Sequence, residues 1–190
     1  MGYLKERIKH AVRFRHKRGF GVHSPFMFNL ILNVIRDKEK QFTYPEMLEQ
    51  ADVLTQRERK VFRLLSRLIR YLKVKKIECL GYNADLLAEY LSLVYQDAVI
   101  QSNLPDQLKQ ADFVYIGRGA DKTGTGDGML SCLFNNERKC VVIADIYRSP
   151  WHRRIWRQYC EKATVSIDMM WYGIVLFDDK IQKGKYNLII

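Results

Sequence analysis

From Lys76 onward, short β-branched runs alternate with stretches at helical spacing, and no other feature of the chain narrows its possible folds as far. The runs KIECLG (76–81), AVIQ (98–101), DFVYIG (112–117) and KCVVIAD (139–145) read as strands. Between and after them, 83–95, 105–110, 128–136 and 150–162 read as helices. Strands that alternate with helices form a parallel sheet covered on both faces, with right-handed crossovers. The expected class is therefore α/β. The alternation stops at TVSIDMM (164–170) and GIVLFD (173–178), which only Trp171 and Tyr172 separate. That gap is too short for a helical crossover, so these two runs predict an antiparallel hairpin. A last run, Tyr186 to Ile190, adds at an edge.

The first 74 residues carry a different period. Leu4, Ile8, Val12 and Phe14 sit among Lys and Arg at helical spacing over 3–17. Ser24-Pro25 supplies an N-cap and a proline at the first helical position, predicting a helix over 25–36. A short helix follows from Pro45 to near Asp52. Thr55-Gln56-Arg57-Glu58 is a capping box that opens a long helix through Leu72. Its apolar stripe, Val61, Leu64, Leu65, Leu68, Ile69 and Leu72, is core, and Lys60, Arg63, Arg67 and Arg70 are expected on the outer face. The expected organisation is an N-terminal helical cap (1–74) on an α/β unit (75–190), packed as one body.

At 190 residues, with 47% hydrophobic and 28% charged side chains, the chain can bury one ordinary core, which excludes disordered and fibrous classes. Charge interrupts Met1 to Arg7 at once, so no secretory signal is expected there. No apolar run reaches the roughly 18 residues of a membrane span, and a cytoplasmic protein is expected. Cys79, Cys132, Cys140 and Cys160 lie 53, 8 and 20 residues apart without metal-ligand spacing, so reduced structural thiols and no metal are expected.

The net charge of +11 is concentrated. Residues 1–24 carry +6 and 57–76 carry +8, leaving −3 for the rest. Two such segments suit nucleic acid, an acidic partner, anionic lipid or a merely solvated face. Late in the chain Tyr147, Trp151, Trp156, Tyr159, Trp171 and Tyr172 interleave with Arg148, Arg153, Arg154 and Arg157. Two readings stay open for them: a surface on which bases stack, or packed rings with arginines reaching outward.

Two motifs carry a family likeness. Arg18-Gly19-Phe20-Gly21-Val22-His23-Ser24-Pro25-Phe26 is one; the other joins Asp145-Ile146-Tyr147-Arg148-Ser149-Pro150 and Trp156 to Ile167-Asp168-Met169-Met170 and Gly173-Ile174-Val175-Leu176-Phe177. The chain resembles the class I S-adenosylmethionine-dependent methyltransferases, in particular a bacterial group with an N-terminal helical extension. The resemblance spans nearly the whole chain. It implies a Rossmann-like sheet, methyl transfer from S-adenosylmethionine to an unknown acceptor, and a donor lying across the carboxyl ends of the strands.

Against that pattern the donor motifs are eroded. The turn after the first strand keeps Gly81, but Asn83 and Asp85 stand where further glycines are usual, and Glu78 lies one position early on the strand. Gln101 or Ser102 replaces the acid that holds the ribose, and Gly117 and Ala144 replace two further acids. Only ten residues separate Gln101 from Asp112, so one strand of the family's sheet is expected to be missing.

The candidate donor contacts are thus Gly81, Asn83, Gln101 and Gly117, and the candidate catalytic groups are His23 and Asp145. His23 either takes a proton from the acceptor or braces the Ser24 helix. Asp145 either faces the ligand or plays a structural part, such as capping the helix near Ser149. His10, His16 and His152, flanked by Arg and Lys, read as surface. Gly124 to Gly128 reads as a loop, because Arg118 to Thr123 part it from its strand. Two functions remain: a methyltransferase whose catalysis is weakened or lost, or a non-catalytic binding or scaffold protein that uses its basic surface.

Overall fold

The computed structural model describes residues 24–36, 42–122 and 138–188, together with 4, 5 and 8. The predicted helix 128–136, Gly124 to Gly128, Cys132, His10, His16, His23 and most of the 3–17 helix lie outside the described residues. Seven strands form one sheet: β1 (Lys76–Leu80), β2 (Val99–Ser102), β3 (Phe113–Ile116), β4 (Cys140–Ala144), β5 (Val165–Asp168), β6 (Tyr172–Leu176) and β7 (Gly184–Asn187). Their order is β2-β1-β3-β4-β6-β5-β7. The first four are parallel neighbours. The hairpin β5–β6 is antiparallel as expected, and β6 enters between β4 and β5. β7 lies at the edge, parallel to β5.

Among the described residues, five helices accompany the sheet. α1 starts at Pro25–Asn29, capped by Ser24, whose hydroxyl accepts the Met27 N–H, and continues as a π-helix, Leu30–Ile35. α2 (Glu46–Gln50) is short; α3 (Gln56–Leu72) carries the predicted capping box, with Thr55 and Glu58 exchanging hydrogen bonds. α4 (Ala84–Val94) joins β1 to β2, a 3-10 turn (Pro105–Gln110) leads to β3, and α5 (Pro150–Lys162) leads to β5.

The pleat divides the core. Ile77, Cys79, Phe113, Tyr115, Val142 and Ile174 face one side, where they meet Met27 and Leu30 of α1, Phe62, Leu65 and Leu68 of α3, and Tyr90 of α4. Leu80, Val114, Ile116, Val141 and Ile143 face the other, against Ile155, Trp156 and Tyr159 of α5. Strands buried on both faces are near-continuously apolar, which is why their runs stood out. The N-terminal helices share the first of these cores with the sheet.

Arg67 departs from expectation. It is buried; its Nε donates to the Val34 carbonyl at 2.6 Å and its Nη1 to the Tyr44 hydroxyl at 2.8 Å. It thus satisfies carbonyl groups at the end of α1, where a cation is favoured by the helix dipole.

Candidate functional site

The sheet order reverses between β2-β1 and β3-β4, so the chain leaves β1 and β3 in opposite directions at their carboxyl ends. A crevice at this switch point is the usual ligand site of an open α/β sheet. Here it holds a cavity of about 270 Å³. Arg57, Glu58 and Phe62 of α3 roof it; Tyr82 and Asn83 follow β1, Gly117 and Arg118 follow β3, and Ala144 and Asp145 end β4. Trp171 and Tyr172 of the hairpin line one end. The volume falls just below the roughly 300–1,000 Å³ of drug-sized sites.

Backbone contact sets the floor. Gly81 has φ +116°, and a Cβ there would sit 2.6 Å from the Arg118 carbonyl oxygen. At Gly117 a Cβ would sit 2.8 Å from the Leu80 carbonyl. The Tyr82 N–H donates to the Arg118 carbonyl at 2.9 Å, and the Gly117 N–H to the Leu80 carbonyl at 2.7 Å. The two glycines let the ends of β1 and β3 touch.

Asp145 is the electrostatic centre. It is 8% exposed and left-handed (φ +50°). Arg57 Nη2 donates to Oδ1 at 2.6 Å, Arg118 Nε donates to Oδ2, and Arg148 Nη1 lies 3.6 Å from Oδ2. Burial alone would raise its pKa, but the Arg118 hydrogen bond and the charges of Arg57 and Arg118 outweigh that and hold the carboxyl below its ordinary value. Asp145 does not cap α5: Ser149 does, its hydroxyl accepting the His152 N–H at 3.2 Å. Arg57 also lies 4.3 Å over the Trp171 ring, which is 41% exposed. Glu58, locked in the capping box, accepts from Asn83 Nδ2 and ties α3 to the β1 turn.

Of the predicted site residues, Asn83, Gly117 and Asp145 meet in this cavity. Gly81 and Gln101 are not in its wall. Gln101 is half-buried on β2, paired in register with Glu78. His23 lies outside the described residues. On the β1–β2 side, Gly81 N–H donates to Asn103 Oδ1 at 3.0 Å and Asn103 Nδ2 donates back to the Gly81 carbonyl at 3.3 Å. Ser102 donates to Asp85 Oδ1 at 2.6 Å. These bonds stitch the turns after β1 and β2 together.

Arg57, Arg118 and Trp171 are site residues the sequence reading did not single out. Arg118 had one signal, its place directly after a strand-ending glycine; Arg57 was visible only as the filler of a capping box. His152, expected on the surface, is buried, with Nδ1 2.8 Å from the Ser149 hydroxyl and Nε2 3.4 Å from the Gly117 carbonyl. Burial lowers its pKa and keeps the ring neutral, so it braces the cavity floor from behind. Of the late aromatics, Trp156 and Tyr159 are core, whereas Trp171 faces the cleft.

Glu78 is buried: Oε1 accepts the Leu104 N–H at 2.9 Å, and Oε2 has no partner among the described residues. Burial pushes its pKa up to about 7, offset in part by that one bond. Among the described residues no helix is long and apolar enough to cross a membrane, and no three His, Cys, Asp or Glu side chains gather as metal ligands. No protein-family model, curated protein or solved structure matches this chain.

Proposed function

We propose that this chain is a methyltransferase-like protein in which methyl transfer is weakened or lost and the cleft at the carboxyl edge works by binding. A doubly wound half-sheet finished by an antiparallel hairpin is compatible with the Rossmann-like scaffold that the sequence resemblance implies. The observation that carries the reading is the Asn103–Gly81 pair. In the donor-bound arrangement the turn after β1 offers its backbone to the ligand; here the N–H and the carbonyl of Gly81 are both engaged by Asn103. Gln101, the substitute for the ribose-binding acid, stands outside the cavity. These residues do not fit S-adenosylmethionine.

Asp145 is equally unsuited to general-base work. A carboxylate held by arginines below its ordinary pKa accepts a proton poorly. Its part in this reading is to hold Arg57 and Arg118 at the cavity wall.

Calorimetric titration with S-adenosylmethionine and with its demethylated product tests the reading. No saturable heat is expected up to millimolar ligand. Micromolar binding of either would overturn it.

A further inference from the structure

The cavity does not end at Trp171 and Tyr172. Arg57, Val61, Trp171 and Tyr172 also line a second groove of about 740 Å³, which continues along α3. Among the described residues, five cations, Arg36, Arg57, Lys60, Arg63 and Arg67, line this groove, and no carboxylate does. Arg57 and Arg63 are paired from behind by Asp145 and Glu49, which fixes their guanidinium groups and leaves the groove with a net positive charge. Lys60 is exposed and makes no ion pair among the described residues.

The cations are matched with rings. Arg57 lies over Trp171 at 4.3 Å, Arg63 over Tyr44 at 5.1 Å and Arg70 over Phe42 at 5.3 Å. These pairs follow one helix for about 20 Å, at about 1.5 Å of rise per residue. Flat guanidinium and aromatic surfaces beside point charges suit a ligand that repeats a ring and a phosphate. An anionic membrane would be met by a flat or convex face, whereas Arg57, Arg63 and the three rings line a concavity that leads to a pocket walled by Tyr82, Tyr115 and Tyr172. A duplex keeps its bases stacked inside and would have to unpair and unstack one to put it there.

We propose that this cleft binds single-stranded nucleic acid, its phosphates along Arg57, Lys60 and Arg63 of α3 and one base held in the inner cavity beside Trp171. This deepens the binding reading above and rests on it, but the two fail separately. Tight donor binding would overturn that reading and leave the groove standing; absence of oligonucleotide binding would overturn only the present inference.

The test is fluorescence anisotropy of the full chain with labelled oligo-dT and oligo-U of about 15 nucleotides, within the range single-strand sites span. Three or four phosphate contacts predict an affinity loss of about 20- to 50-fold between about 50 and 200 mM salt. Lys60→Glu should weaken binding about tenfold and reduce the salt slope by about one. Trp171→Ala should weaken it at least about fivefold with the slope unchanged. Lys183→Glu, the same charge change on an exposed loop outside the groove, should do neither. Equal weakening by Lys60→Glu and Lys183→Glu, duplex bound as tightly as single strand, or a mononucleotide bound as tightly as the oligonucleotide would each overturn the proposal. Lys60 and Lys183 are exposed, so both variants keep the fold, with circular dichroism as the check.

Discussion

The two halves of the sheet's carboxyl edge handle buried polar groups in opposite ways. On the β1–β2 side neutral partners bind at short range: Asn103 takes up both backbone groups of Gly81, and Ser102 bonds Asp85. The buried acid on that side, Glu78, meets one backbone N–H and, among the described residues, no cation, so burial drives its pKa up to about 7. On the β3–β4 side one acid gathers arginines from α3, from the β3 turn and from its own turn, and Asp145 stays ionised. Short neutral side chains pull two loops together and close a crevice. Long arginines converging on one carboxylate hold their elements apart and leave a cavity.

The joint between the halves should be the most sensitive point. Gly81→Ala places a Cβ against the Arg118 carbonyl at positive φ, and should cost about 3 kcal/mol in urea unfolding from strain plus contact. A loss below about 1 kcal/mol would mean that the two turns are not in register as described.

Glu78→Gln comes next. A carboxyl whose pKa rises from 4.5 to about 7 on folding binds more protons folded than unfolded between those values. Its contribution is therefore fully present below pH 4.5 and is lost as pH rises through about 7. Removing the charge should stabilise the protein by about 2 kcal/mol at alkaline pH, and should remove that decline from the pH profile. An unchanged profile would place Glu78 in water.

Asp145→Asn should act with the opposite sign. A depressed pKa stabilises above the unfolded value and is lost as pH falls through the folded one. The variant should lose about 1 to 2 kcal/mol at neutral pH and little in acid. The loss is discounted because Arg57 and Arg118 are 42% and 49% exposed and keep water when unpaired. The smallest effect belongs to Asn103→Gly, which keeps the left-handed φ of +55° and removes two hydrogen bonds. It should cost about 1 kcal/mol. It should also free Gly81's backbone, so a calorimetric response to S-adenosylmethionine in this variant alone would sharpen the contrast between the two halves.

Local chemistry was legible. The Thr55–Glu58 box, the Ser24 cap, the apolar runs of β1, β3 and β4 and the closeness of β5 to β6 all depend on neighbours within a few residues. Three residues of the cavity were legible for the same reason: Asn83, Gly117 and Asp145 each end or follow a strand. Arg57 was not, because it reaches Asp145 across 88 residues of chain. His152 and Arg67 were misplaced because flanking charges suggest solvent, whereas helix phase turns one toward Gly117 and the other toward the Val34 carbonyl.

The amino-acid order by itself determined the α/β class, most element boundaries and the uneven spread of charge, since spacing and capping act along the chain. Tertiary structure alone decided that β6 lies beside β4, that Asn103 closes one crevice and that three arginines converge on one carboxylate. Those outcomes depend on which distant surfaces share a buried, poorly solvated space, where pairing a charge or a hydrogen bond outweighs any preference written in a local window.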